Sequence, residues 1–359
     1  MVGVSRFDLA SLRHPIVAAP MGGGASTPEL AAAVSDAGGL GFLACGYKDA
    51  AAVGEDIAGV RARTARPFGA NIFAPPADAD PDAVARYEAL LRPESERFGV
   101  PLGRPRHHDD GWEAKLELVA AERVPVVSFA FGCPPRPVVD DLHDAGAAVW
   151  VTVTTPAEAR EGVRAGADAL VVQGVEAGAH RGSFDDEAPG DIGLLALLQL
   201  VRAQVDAPLV AAGGIATAEG VAAVLAAGAA AACLGTAFLR AREAGTPAVH
   251  RAALGTEQPT ALTRAFTGRT ARGIANRFLL EHSADAPSAY PDVHHITAPL
   301  RAAARERSDA DVLHLWAGQA QALTRDVAAG SFVEELAAGA RRALRDVAAR
   351  FDGPASPGV

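Results

Sequence analysis

One histidine lies in a glycine-rich stretch that follows a short apolar run, Gln173-Gly174-Val175-Glu176-Ala177-Gly178-Ala179-His180-Arg181-Gly182. An imidazole titrates near neutral pH, so His180 is a candidate proton acceptor. The Gln173 amide can hydrogen-bond a heterocycle, and Gly178 and Ala179 leave room for a flat ligand. A histidine in a loop is more often a solvated side chain, but a glycine-rich loop directly after a strand favours the catalytic interpretation.

Two glycine turns later in the chain predict a phosphate site. They are Ala211-Ala212-Gly213-Gly214-Ile215 and Leu234-Gly235-Thr236-Ala237. Such turns expose backbone N–H groups, and a helix that begins there adds positive potential. Either turn alone is a weak signal. Together, on adjacent loops, they predict a phosphate-bearing cofactor.

Two other segments could contact the flat part of such a cofactor. In Ala19-Pro20-Met21-Gly22-Gly23-Gly24 the backbone can approach a ligand closely, although a flexible turn is an equal alternative. In Gly69-Ala70-Asn71-Ile72-Phe73 the Asn71 amide offers a donor and an acceptor, although a structural hydrogen bond would use them equally well.

These segments follow apolar runs that alternate with alanine-rich helical stretches. Continuous apolar runs are typical of strands that are covered on both faces, and βα alternation predicts a parallel sheet. Eight such runs occur: Pro15–Met21, Leu40–Cys45, Phe68–Phe73, Pro125–Phe131, Ala148–Val153, Ala169–Gln173, Pro208–Gly213 and Ala230–Gly235. Eight units predict a closed (β/α)8 barrel, with an open doubly wound sheet as the alternative.

Two regions break this rhythm. Residues 75–111 are rich in proline and predict an insertion after the third strand. Residues 241–359 follow the barrel of residues 1–240 and predict a cap that packs on it, with helices near 309–327 and 332–351. The segment 284–299, which precedes these helices, contains an ordered loop or is a plain linker.

Composition excludes several classes of function. The net charge of −10 disfavours nucleic-acid binding. Three widely spaced cysteines indicate neither a disulfide framework nor a zinc site, and the first residues lack a secretory apolar region. A cytoplasmic protein without membrane or metal partners is expected. A dinucleotide-binding Gly-x-Gly-x-x-Gly run in a βαβ context and a Walker-type loop are both missing from the sequence.

The order of these motifs resembles that of the nitronate monooxygenases, also called 2-nitropropane dioxygenases. The likeness covers most of the chain and is most specific in Gln-Gly-x-Glu-Ala-Gly-x-His. It also includes Phe266-Thr267-Gly268-Arg269 and Trp316-Ala317-Gly318-Gln319 near the C-terminal end.

The resemblance implies a TIM barrel that binds FMN and oxidises nitronates or nitroalkanes with molecular oxygen. His180 would be the catalytic base, or would orient a substrate that is already anionic. The resemblance places the FMN-binding residues at Ala19, Pro20, Met21, Gly22, Asn71, Gln173, Gly178, Ala179, Gly213, Gly214, Gly235 and Thr236. Gly23 and Tyr290 are candidates for the substrate pocket.

Two departures from the family pattern stand out. The residue before the histidine is Ala179, where the family usually has glycine. Only two lysines occur, Lys48 and Lys115, which leaves few candidates for a lysine near the flavin. Arg136 and Arg181 are candidate replacements.

The same motifs also fit other functions. An FMN-dependent NAD(P)H oxidoreductase, such as an enoyl-acyl-carrier-protein reductase or a quinone reductase, is one alternative. A barrel that binds flavin or another phosphate ligand without turnover is the other. Alkyl nitronates, propionate 3-nitronate and unrelated electron donors are all open as substrates.

Overall fold

The computed structural model describes residues 6–352 of the chain. Within them the backbone forms eleven strands: β1 (Ile16–Ala18), β2 (Phe42–Ala44), β3 (Gly69–Phe73), β4 (Val126–Ala130), β5 (Ala148–Val153), β6 (Ala169–Gln173), β7 (Ala179–His180), β8 (Leu209–Ala212), β9 (Ala231–Leu234), β10 (Thr260–Thr263) and β11 (Ala271–Ile274). Each of the eight predicted runs contains one of the strands β1–β6, β8 and β9.

These eight strands form one parallel sheet in the order β1-β9-β8-β6-β5-β4-β3-β2. A bridge between Val17 and Leu40 joins the two edges of the sheet. The predicted (β/α)8 barrel is therefore confirmed over the open doubly wound sheet. Because the strands are parallel, the loops that follow them all meet at one end of the barrel.

Thirteen α-helices lie within the described residues: α1 (Pro28–Asp36), α2 (Ala50–Arg61), α3 (Pro81–Leu90), α4 (Arg92–Phe98), α5 (Trp112–Ala121), α6 (Arg136–Asp144), α7 (Pro156–Ala165), α8 (Leu194–Arg202), α9 (Ala218–Ala226), α10 (Ala248–Ala253), α11 (Arg277–His282), α12 (Asp292–Glu306) and α13 (Ala329–Asp352). The hydroxyl groups of Thr27, Thr155 and Thr217 accept hydrogen bonds from backbone N–H groups in the first turns of α1, α7 and α9. These caps fix where each helix begins, and so the length of the loop before it.

Large apolar side chains fill the amino end of the barrel. The Trp150 ring packs against Phe42 and Phe7, with ring centroids 5.5 and 6.3 Å away. Strand side chains alternate in direction, so Thr152 faces the barrel interior two residues further along β5. The barrel is thus closed at its amino end, and the space for a ligand lies at the carboxyl end.

Segments outside the barrel cover that end. Helices α3 and α4 lie in the insertion at 75–111, and α10 to α12 follow the last barrel strand. Strands β10 and β11 form a hairpin whose second strand pairs antiparallel with β7, which places Ala271 opposite His180. Helix α13 returns to pack on α1 and α9. The division of the chain at residue 240 stays a prediction.

One expectation for the C-terminal region was wrong. Residues 309–327 form two short 3₁₀ turns instead of a helix. The backbone between those turns is extended because it pairs with the end of β11 beyond β7, where the Ile274 N–H donates to the Leu315 carbonyl at 2.8 Å. The segment 284–299 contains an ordered loop, as expected, and the loop ends where α12 begins at Asp292. Helix α13 includes the predicted stretch at 332–351.

None of the helices within residues 6–352 combines the length and the apolar character that a membrane crossing requires.

Candidate active site

A cavity of about 390 Å³ opens at the carboxyl end of the barrel strands. Its walls come from the loops after the strands and from the segments that cover them. It brings together nearly all the residues that the sequence singled out: Ala19, Pro20, Met21, Gly22, Gly23, Asn71, Gln173, Gly178, Ala179, His180, Gly213, Gly214, Gly235 and Thr236. Tyr290 is the exception, because its buried ring lies behind the wall, 6.1 Å from the His180 ring.

The two glycine turns lie on one side of this cavity. Gly213 and Gly214 have φ angles of 117° and 67°, in the left-handed region that favours glycine. A Cβ at Gly213 would lie 3.2 Å from the Ala177 backbone nitrogen. The backbone N–H groups of Gly214 and Ala237, one beside each turn, donate no hydrogen bond to another residue within 6–352. Free N–H groups on both turns form a site for an anion such as phosphate.

The Asn71 side chain lies at the end of β3, buried in the cavity floor. Its Nδ2 donates to the hydroxyl and the carbonyl of Ser128 at 2.8 and 3.2 Å. These bonds fix the amide, so that Oδ1 is the atom left to accept a hydrogen bond from a ligand.

The Gln173 side chain makes hydrogen bonds to the loop that carries His180. Its Oε1 accepts from the Gly182 N–H at 2.8 Å and from Arg181 at 3.1 Å. Its Nε2 donates to the His180 carbonyl at 3.1 Å. The side chain lines the cavity, but its polar atoms mainly hold the loop that carries His180.

The loop after β1 is held by short-range hydrogen bonds. The Met21 N–H donates to the Ser26 hydroxyl at 2.8 Å, and the Ser26 N–H donates to the Met21 carbonyl at 3.1 Å. The Ala19 N–H donates to the Leu234 carbonyl at 2.9 Å, which places this loop beside the second glycine turn. Backbone of this loop therefore forms a fixed part of the cavity wall.

His180 lies in β7, the short strand that pairs with the covering hairpin. Its Nε2 lies 2.9 Å from the hydroxyl of Thr267, which belongs to the loop between β10 and β11. Burial, and to a smaller extent the guanidinium groups of Arg269 and Arg301, lower the pKa of His180 from 6.5 to about 3. The imidazole is therefore neutral at neutral pH, so one of its two ring nitrogens carries no proton.

Backbone strain is concentrated around His180. Tyr47, Phe131 and Ala179 have φ angles of 67°, 75° and 61°, and all three line the cavity. Residues other than glycine rarely adopt this backbone conformation, because it costs about 1–2 kcal/mol at each position. Ala179 thus adopts the backbone conformation that the glycine of the family pattern would adopt freely.

The cationic candidates from the sequence lie away from the cavity. Arg136 is exposed and pairs with Asp140, while Lys48 pairs with Asp56. The buried Arg181 donates to the Gly174 carbonyl at 2.6 Å, beneath the loop. Lys115 is fully buried and pairs with Asp110 at 2.6 Å. None of the four cations is on the cavity wall, so neither Arg136 nor Arg181 lies in position to replace a lysine beside a ligand of this cavity.

Several residues of the wall had no counterpart in the sequence interpretation. Tyr47 stacks on His294, with the ring centroids 4.5 Å apart. The Trp316 ring lies next to the His180 ring, with the ring centroids 5.5 Å apart. Arg301 and Arg305, from α12, supply the positive charge. All except Tyr47 come from the covering segments, whose sequence follows no repeating pattern.

The cavity wall carries no aspartate or glutamate among the residues that the structure describes. It combines one anion-binding corner at the glycine turns, a flat apolar space, and a neutral imidazole. This arrangement suits a planar heterocycle with a phosphate tail and a small substrate of neutral or negative charge.

Comparisons with known proteins agree with this geometry. The family model described as nitronate monooxygenase matches residues 5–339. The nitronate monooxygenase of Pseudomonas aeruginosa is 41% identical over 91% of this chain and 96% of its own length. That of Paraburkholderia phytofirmans is 37% identical over 91% of this chain and 92% of its own length.

Two solved structures share the whole architecture. The nitroalkane oxidase of Streptomyces ansochromogenes is 50% identical with a TM-score of 0.92, over 94% of this chain and 99% of that one. FabK from Thermotoga maritima is 26% identical with a TM-score of 0.73, over 96% of this chain and 97% of that one.

Proposed function

The chain belongs to the nitronate monooxygenase family and is an oxidoreductase, and we propose that it oxidises nitronates and nitroalkanes with FMN as cofactor and molecular oxygen as electron acceptor. The observation that carries the proposal is the position of a neutral imidazole, His180, in the wall of the cavity that also contains two free glycine turns. The named relatives support the reaction class.

The residues present fit FMN. Gly213, Gly214, Gly235 and Thr236 would hold the phosphate, because the turns offer unpaired N–H groups and a Cβ at Gly213 would disturb them. The Asn71 Oδ1 would accept from the pyrimidine ring, and the backbone of residues 19–22 would lie against the isoalloxazine. Bound FMN supplies the two-electron acceptor that no protein side chain provides.

His180 acts on the proton of the substrate. For a neutral nitroalkane we assign it the role of base that removes the α-proton, as its neutral state allows. A nitronate has already lost that proton, so the imidazole would only position it. FMN held by the glycine turns would take up the electrons of the substrate and supply them to oxygen.

The Thr267 hydroxyl would orient this imidazole. It donates to the Arg269 carbonyl at 3.3 Å and can then accept from the Nε2–H of His180 at 2.9 Å. This assigns the proton to Nε2 and leaves Nδ1 as the basic atom. The apolar rings of Phe131 and Trp316 flank the imidazole and keep water away from it.

An anaerobic reduction assay tests the function. The purified protein should be yellow, and ethyl nitronate should bleach its flavin absorbance in the absence of oxygen, whereas NADH should not. Bleaching by NADH alone would support the NAD(P)H oxidoreductase alternative instead. A protein that binds FMN but is reduced by neither donor would contradict the proposal and favour a barrel without turnover.

A variant of His180 tests its role separately. His180→Ala should abolish turnover of neutral nitroethane and leave most of the turnover of preformed ethyl nitronate. If nitroethane oxidation by the variant equalled that of the wild type, the assignment of the base would be wrong even if the reaction class held.

A further inference from the structure

Helix α12 carries two arginines one turn apart, and both lie on the cavity wall. Arg305 is exposed, whereas Arg301 is buried, with 7% of its surface accessible. The first marks the opening of the cavity and the second lies inside it. The proposed reaction assigns a role to neither.

The hydrogen bonds of Arg301 reach only neutral groups. Its Nε donates to the Thr297 hydroxyl at 3.1 Å, and its Nη2 donates to the His294 carbonyl at 2.7 Å. The Nη2 atom also lies 3.3 Å from Nδ1 of His294. Within residues 6–352, no carboxylate comes within 4 Å of the Arg301 guanidinium, and burial lowers the pKa of Arg301 to about 10.

Among the described residues, Arg269 and Arg272 of the covering segments are also buried without a carboxylate within 4 Å, but neither lines the cavity. Two other arginines of these segments, which are only partly buried, are paired with carboxylates. Arg277 makes a bidentate ion pair with Glu94 at 2.6 and 2.7 Å. Arg264 pairs with Asp186 at 2.8 Å. A buried cation without a carboxylate partner is costly, and because Arg301 faces the cavity, an anionic ligand there would supply the missing negative charge.

The surroundings of Arg301 favour an anion over a neutral ligand. His294 and His180 are neutral, because burial lowers the pKa of His294 to about 2 and that of His180 to about 3. The wall contributes no carboxylate to repel an anion. An oxyanion that enters past Arg305 therefore meets only neutral and positive groups on its way to Arg301.

We propose that Arg301 is a specificity residue that binds an oxyanion of the substrate, and that Arg305 attracts such anions to the opening. This rests on the proposed function and deepens it, because Arg301 then makes the enzyme prefer the anionic nitronate to the neutral nitroalkane. The oxyanion is either the nitronate group itself or a carboxylate elsewhere in the same substrate.

Steady-state kinetics of Arg301→Gln separate these sources. KM for ethyl nitronate should rise about 10- to 100-fold, as expected for loss of a charge-assisted hydrogen bond, while KM for nitroethane changes little. If the bound group is instead a carboxylate, KM of Arg301→Gln should rise only for the nitronate of 3-nitropropionate. Equal KM values in variant and wild type for all three substrates would overturn the proposal.

Matched variants keep this test independent of folding. Arg301→Lys retains the charge and should recover part of the affinity. Arg307→Gln removes the same charge at the end of the same helix, where Arg307 donates to the Phe98 carbonyl outside the cavity, and should leave KM unchanged. A similar rise in KM in Arg307→Gln would show that the overall charge of the protein, and not Arg301, determines KM for the nitronate.

Titration with nitrate tests anion binding without turnover. Nitrate is planar and inert, and its binding to the holoenzyme can be followed through the flavin spectrum, or through tryptophan fluorescence because Trp316 lines the cavity. The dissociation constant should rise at least about tenfold in Arg301→Gln and not in Arg307→Gln. If the wild type binds nitrate through Arg301 but oxidises no nitronate, the proposed function is refuted and anion binding at Arg301 stands. If Arg301→Gln and Arg307→Gln bind nitrate with equal dissociation constants, the inference about Arg301 alone is refuted.

Discussion

The imidazole Nε2 of His180 lies 2.9 Å from the hydroxyl oxygen of Thr267. The histidine follows the sixth barrel strand, whereas the threonine belongs to the hairpin that covers the barrel. This contact therefore links the proposed base to a segment far away in sequence. It makes the geometry of the proton transfer depend on the docking of the hairpin.

Thr267→Val should lower kcat for neutral nitroethane about 5- to 10-fold with little change in KM, because the buried valine keeps the volume and removes about 1 kcal/mol of hydrogen bonding. Thr267→Ser, which retains the hydroxyl, should stay close to wild type. Turnover of ethyl nitronate should change little in either variant. A kcat unaffected by valine would show that the contact does not orient the base.

Ala179→Gly should raise the free energy of unfolding by up to about 1 kcal/mol, since Ala179 has a φ of 61° that glycine adopts freely. Gly178→Ala should instead lower it by about 3 kcal/mol, because the new Cβ would lie 2.4 Å from the Gly318 nitrogen. Urea unfolding of the two variants measures both effects. Destabilisation by Ala179→Gly would mean that the strain is not relieved there.

Gly213→Ala should weaken FMN binding about tenfold or more, since the Cβ would lie 3.2 Å from the Ala177 nitrogen and displace the turn. Gly228→Ala is the control. Gly228 also has a positive φ, of 96°, but a Cβ added there would meet no atom within 4 Å, and the residue does not line the cavity. Titration of the flavin-free proteins with FMN compares them, and equal affinities would argue against a phosphate at this turn.

Acid should destabilise the fold below about pH 6.5. Burial lowers the pKa of His180 to about 3 and that of His250 to about 4. The pKa values of His294 and His295 are lowered to about 2 and about 4. The unfolded chain therefore binds more protons than the fold between these values and 6.5, so stability falls as the pH falls, by up to about 1.4 kcal/mol per pH unit for each histidine.

Denaturant unfolding at pH 7.5 and pH 5 measures this loss. Unfolding free energies should be lower at pH 5, and His250→Gln, which removes one titrating group, should make the dependence shallower. Equal stability at the two pH values would contradict the assignment of these histidines as neutral in the fold.

The barrel was predictable because each strand and each cap is encoded locally. An apolar run followed by a threonine before helix-forming residues, as at Thr155, is visible in a few consecutive residues. The same locality made the glycine turns visible at Gly213 and Gly235. Because both turns follow barrel strands, they were expected at the carboxyl end of the barrel.

The covering segments were not predictable in this way. The stretch at 309–327 is extended because it pairs with β11, a partner distant in sequence. Nothing in the sequence shows that the helix of Arg301 turns this side chain toward the cavity. Tyr290 looked like a pocket residue and is buried behind Tyr47 and His180.

A crystal structure of the protein with FMN bound tests the central claim most directly. We expect the phosphate within hydrogen-bonding distance of the Gly214 and Ala237 backbone nitrogens, with the His180 imidazole above the isoalloxazine ring. A phosphate bound away from both turns, or a flavin ring that His180 does not face, would contradict it.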